Sequence, residues 1–152
     1  MQRSSSRSRS RSFAVVALAA TLLTGACTSE PAASADANAT FPAEALSTGA
    51  SDTGALTFEV RTSPQPPAAG TCSVELTVKN ASGAPVDGLA LSVVPWMPAM
   101  GHGTSILAEV TPKGGGVYLV TDVSFFMPGD WELRTSVSGP VSDHVAPVVT
   151  VH

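Results

Sequence analysis

Thr71-Cys72-Ser73-Val74-Glu75-Leu76-Thr77-Val78-Lys79 alternates without a break. Cys72, Val74, Leu76 and Val78 fall on one side, and five polar or charged side chains fall on the other. A period of two sustained over nine residues is the pattern of a strand with one face in a core and the other in water. The register also places Cys72 inward, as a small buried hydrophobe.

The same period continues on both sides of this stretch. Leu56, Phe58 and Val60 alternate with polar neighbours, which predicts a preceding strand. Between the two, residues 63–70 contain three prolines, which cannot donate to a sheet, so a loop is expected there. Asn80-Ala81-Ser82-Gly83-Ala84-Pro85 is turn chemistry. A third strand is expected over Leu89, Leu91 and Val93, and a fourth over residues 106–111. Pro112-Lys113-Gly114-Gly115-Gly116 turns the chain into a fifth, residues 117–124. Trp131, Leu133, Thr135 and Val137 mark the inward side of a sixth, and residues 144–152 close the set with an interruption at Pro147. Seven short strands and no helical period predict a seven-stranded antiparallel β-sandwich of the immunoglobulin or fibronectin type over residues 54–152. A small closed barrel would give a similar string.

The rest of the chain has a different composition. Residues 1–12 carry Arg3, Arg7, Arg9 and Arg11 and no acid, and residues 13–26 are uncharged and mostly apolar. That run is short for a membrane span. A basic start, a short apolar run and a small-residue exit make a secretory signal peptide over residues 1–26. The exit, Leu23-Thr24-Gly25-Ala26-Cys27, resembles a bacterial lipobox, with Thr24 where leucine is more usual. Cys27 is then the lipidated N-terminus of an exported protein, held to the cell envelope by acyl chains. Residues 28–53 are rich in Ala, Ser, Thr, Asp, Asn and Pro without an apolar period, and read as a tether.

From residue 27 onward, Arg61, Lys79, Lys113 and Arg134 face all twelve acids of the chain, a net of −8. So acidic a body does not suit nucleic acid or anionic lipid. No Ser-His-Asp order, paired-carboxylate motif, HExxH, CxxC or phosphate-binding glycine loop is present, so an enzyme is not expected.

The chemistry concentrates in two places. Pro95-Trp96-Met97-Pro98-Ala99-Met100-Gly101-His102-Gly103 sets two thioethers and an imidazole within six residues, and Phe126-Met127-Pro128-Gly129-Asp130-Trp131 adds a third thioether. Met1 apart, these stretches hold every methionine of the chain. In the predicted sandwich the two connections lie at one end, which brings Met97, Met100 and His102 toward Met127. Thioethers are soft, neutral donors that suit Cu(I) and poorly suit Zn(II), Ca(II) or Mg(II), and imidazole serves copper in either oxidation state. Trp96 and Trp131 flank these residues, where an indole face could shield the metal. The blander reading is that methionine fills gaps under loops and a histidine between glycines is simply solvated. His144 and His152, on the last strand, read as surface residues.

The order Trp96-Met97-Pro98-Ala99-Met100-Gly101-His102-Gly103, then Gly116-Val117-Tyr118, then Phe126 to Leu133 resembles the YtkA-like domain family across residues 55–151. Pro128 departs from its pattern by standing between Met127 and Gly129. The resemblance implies an immunoglobulin-like sandwich in an exported protein, related to the FixH-type proteins of copper oxidase assembly. It implies metal handling by Met97, Met100, His102 and Met127. The expected function is a lipid-anchored module that holds Cu(I) and passes it to an oxidase assembly factor or an efflux protein. The alternative is a protein-interaction module that uses the Trp/Met/Pro loop as a contact surface without metal.

Overall fold

The computed structural model describes residues 39–152. The expected signal peptide, Cys27 and the first part of the expected tether lie outside them. Ten strands follow in order: β1 (Ser47–Ala50), β2 (Leu56–Ser63), β3 (Gly70–Asn80), β4 (Ala90–Met97), β5 (His102–Gly103), β6 (Glu109–Gly114), β7 (Val117–Phe125), β8 (Gly129–Ser138), β9 (Asp143–Val145) and β10 (Val148–Val151). Among the described residues there is no helix.

The strands form two antiparallel sheets, one ordered β1-β2-β3-β7-β6 and the other β10-β8-β4-β5, with β9 also paired to β8. The run β2-β3-β7-β6 set against β10-β8-β4 is the Greek-key order of an immunoglobulin-type sandwich. The expected fold is therefore the observed one, as two separate sheets and not a closed barrel.

Alternation makes the core. Leu56, Phe58 and Val60 of β2, Val74, Leu76 and Val78 of β3, and Trp131 and Leu133 of β8 are almost wholly excluded from water. Each such large side chain contributes about 1.5–3 kcal/mol relative to staying exposed. Cys72 is buried in the inward register as read from the sequence, and burial pushes its thiol up to about 12. On β7 two residues, Thr121 and Asp122, oppose the single Ser73, a bulge in which Asp122 takes a φ of 58°. The bulge lets Val120, Val123 and Phe125 all face inward.

Several details differ from the sequence expectation. Ser47–Ala50, inside the stretch read as tether, is β1 and pairs with β2, so the sandwich starts before residue 54. Small residues without an apolar period gave no sign of it. The fourth expected strand starts later, at Glu109, because Ile106 and Leu107 face solvent. β6 also runs through Pro112 and Lys113 to Gly114, with a register shift at Pro112, so that the turn into β7 is shorter than read. β4 does not stop at Pro95 but carries through Trp96 to Met97. Finally, the closing strand is two strands, β9 and β10, broken at Ala146 and Pro147.

Candidate functional site

Met97 ends β4, and its place follows from the register. Val93, Pro95 and Met97 continue the inward set of that strand, so Met97 is only 4 % exposed. Proline is tolerated here because β4 beyond β8 is paired only by the short β5. The Pro95 carbonyl accepts the Thr104 N–H at 3.4 Å on that side.

Residues 98–101 form a tight loop from β4 into β5. The Met97 carbonyl accepts the N–H of Met100 at 3.1 Å and that of Gly101 at 3.0 Å, a single helical turn that ends at Gly101 with φ 68°. Pro98 presets φ for entry to such a turn, and glycine takes the left-handed exit. The turn returns the chain so that His102 lies directly across from Met97 in the β4–β5 ladder. Cross-strand partners share a face with Cβ atoms about 5 Å apart. The next pair, Trp96 with Gly103, points to the other face.

Met127 arrives from the opposite sheet, in the three-residue link between β7 and β8. Trp131, fully buried on β8, donates its indole Nε1–H to the Met127 carbonyl at 3.1 Å and so fixes the link. Phe126, beside it, stands edge-on to the Trp131 ring at 4.8 Å between centroids. Its other face stacks on the His102 ring at 5.3 Å and 10°.

Met97, Met100 and Met127 thus line one open cleft of about 590 Å³, with Trp131 in its wall. His102 joins them at the margin through its pairing with Met97 and its stack on Phe126. Two carboxylates also reach this cleft, each engaged through one of its oxygens: Asp130 Oδ1 accepts from the Thr150 hydroxyl at 2.7 Å, and Glu132 Oε2 accepts from Arg134 Nε at 2.8 Å. Among the described residues no three His, Cys, Asp or Glu side chains gather into a metal-binding group. The cleft thus offers three sulfur donors and these two carboxylates, with the one imidazole at its edge.

Trp96 does not flank the thioethers as expected. One residue before Met97 in an extended strand, it faces away, and the Arg134 guanidinium covers its ring at 4.3 Å. Trp131 does stand beside them. His144 and His152 are both exposed and lie outside the cleft. Two contributors went unassigned in the sequence. Phe126 orients His102, and its only signal was adjacency to Met127. Gly129, with φ 135°, leaves the space filled by the Met97 methyl.

The YtkA-like family model matches residues 51–136, more than half of the chain. The chain belongs to the YtkA-like family. The matched stretch of this YtkA-like domain contains the whole Met97–His102 turn and Met127, and it ends within β8, before β9 and β10. No curated protein matches the chain, and no solved structure does.

Proposed function

We propose that this domain binds Cu(I) as cargo through the thioethers of Met97, Met100 and Met127 and the imidazole of His102, and hands it to another protein. The observation that carries the reading is the convergence of all three thioethers, from two separate segments of the chain, on one cleft. Soft neutral donors select a soft monovalent ion, and they hold it less tightly than thiolates would, which suits transfer. The donors also differ in access: Met97 is buried, Met127 half-buried, and Met100 54 % exposed. Met97 is held by the core, whereas Met100 stands where an accepting protein could displace it. No reaction on a substrate is needed.

In this reading the protein is exported and held to the envelope through an acylated Cys27, and its acceptor belongs to copper-oxidase assembly or metal efflux. The test is an anaerobic Cu(I) titration against a chromophoric chelator, on protein carrying Cys27→Ser to remove the expected acylation site. A stoichiometric site that is lost in Met97→Leu/Met100→Leu supports the proposal.

One observation favours the alternative, a metal-free interaction module. Met100, Phe126 and Val148 are large, apolar and exposed around the cleft. Under that reading Cu(I) does not bind stoichiometrically, and replacing Phe126 with serine costs partner binding.

A further inference from the structure

The described chain enters the sandwich at the end that carries the cleft. Before β1, the Ala43 carbonyl accepts from Arg61 Nε and Nη2, each at 3.3 Å, and the Glu44 carbonyl accepts from Gln65 Nε2 at 3.1 Å. Ser47 pairs with Val60, midway along β2, and the residues before it run back toward Ser63. That end also holds Ser63, paired with Ser73, and Gly70, paired with Phe125, from which three residues lead to Gly129 at the start of β8. Gly129 in turn pairs with Val151. The chain before Ser47 therefore approaches β1 from the end where the Met97 turn and the Met127 link lie. The opposite end holds Asn80, Ser82, Gly114 and Ser138.

The exposed apolar side chains are distributed just as unevenly. Of six large hydrophobic residues exposed among the described residues, Val94 and Val148 lie on the outer face of the β10-β8-β4 sheet, and the other four lie in the connections at the cleft end. Met100 and Val148 line the cleft, and Phe126 precedes Met127. Ile106 and Leu107 lie on the loop that leaves β5, and Leu107 is 84 % exposed. The segment from Leu89 through Leu107 carries no Asp, Glu, Lys or Arg.

We infer that the cleft end of the sandwich rests against the bilayer in which Cys27 is anchored, through Ile106, Leu107 and Phe126, with Met100 left at the margin of the contact. The inference rests on the lipid anchor read from residues 23–27 and not on copper. Sixteen residues from Cys27 to Ala43 reach at most about 55 Å fully extended. Entry at the cleft end puts that end nearest the membrane, whereas entry at the other end would set the cleft farther out by the length of β3, about 35 Å. The contact is made by apolar side chains, with the carboxylates of Asp130 and Glu132 beside it on the outer face of β8. A body with a net charge of −8 gains nothing from anionic headgroups, so neutral lipid serves and salt has little effect. Contact too weak to hold a free domain becomes populated once the anchor makes it intramolecular.

The test uses the full chain, exported and processed, in phosphatidylcholine vesicles, with a spin label at Ser105→Cys or at Ser82→Cys. Buried Cys72 does not compete for the label. Cys27 acylation is read by mass spectrometry on the same samples. The expected result is a label at 105 relaxed several-fold more by lipid-soluble oxygen than by an aqueous nickel complex, at low and high salt alike. The label at 82 stays aqueous, and Leu107→Ser returns the label at 105 to water. Acylated protein with both labels equally aqueous overturns the bilayer contact and leaves this end to a protein partner. Unacylated Cys27 overturns the anchor, and the inference with it.

Discussion

Gly129 and Met97 occupy one space: a Cβ on Gly129 would stand 2.6 Å from the Met97 Cε. Gly129 begins β8 and Met97 ends β4, so a glycine in one sequence motif sets the position of a thioether in the other. Its φ of 135° is a second reason for glycine, since side-chain-bearing residues rarely adopt it. Gly129→Ala should therefore move Met97 and strain the start of β8 together. The expected loss is about 1–3 kcal/mol of stability in urea unfolding. A fall of tenfold or more in Cu(I) affinity should accompany it. A variant as stable as the parent, with unchanged copper binding, would show that the two residues are not coupled.

Met→Leu separates ligation from packing because it nearly conserves volume. Met97→Leu should cost less than about 1.5 kcal/mol of stability despite its burial. Met100→Leu, at an exposed site, should stay within about 0.5 kcal/mol of the parent. Both should weaken Cu(I) binding well beyond those figures. Chelator competition set beside urea denaturation of the same samples checks this.

How much of the site was legible follows from the length of each pattern. Nine alternating residues around Val74 left no doubt about β3, and the inward set of β8 was read correctly down to Thr135. The convergence of the Met97 turn and Met127 followed from counting strands. What escaped were elements too short for a period to register. β5 is two residues long, so His102 read as a loop residue when it is the ladder partner of Met97. Trp96 was assigned by nearness in sequence, but the strand continues through Pro95, and adjacent residues then face opposite sides. Ile106 and Leu107 read as strand because they are apolar, yet they face solvent at the cleft end.

Trp131 joins the core to the site through a single hydrogen bond, from its Nε1–H to the Met127 carbonyl. Trp131→Phe removes that donor and leaves space in a fully buried position. A loss of about 1–3 kcal/mol is expected from the two effects together. The Met127 link should loosen as well, seen as faster amide exchange over residues 126–129 than at β3.

Asp143 predicts an acid response far from the cleft. Its carboxylate accepts from the Thr53 hydroxyl at 2.5 Å, and together with Ser51 and the backbone N–H groups of His144 and Thr53 this holds its pKa down, at about 2. A group whose pKa is lower folded than unfolded stabilises above its unfolded value, here 3.8, and loses that contribution as pH falls toward 2. Thr53→Val should therefore destabilise the domain at pH 7 and progressively less below pH 4. Thermal melts of both proteins between pH 2 and 7 measure the difference. A constant gap across that range would contradict the assignment.

Cys72 should be inert while the domain is folded, being buried with its thiol raised to about 12. Iodoacetamide at pH 8 should modify it only after denaturant is added. Modification of the folded protein would reopen Cys72 as a possible soft ligand.

The central claim is that three thioethers and an imidazole make a site for Cu(I), and an anaerobic titration against a chromophoric Cu(I) chelator meets it most directly. The account predicts one equivalent retained by the parent and lost in Met97→Leu/Met100→Leu, with both proteins unfolding at nearly the same urea concentration. A parent that leaves all copper with the chelator, or a double variant that binds as the parent does, would contradict it.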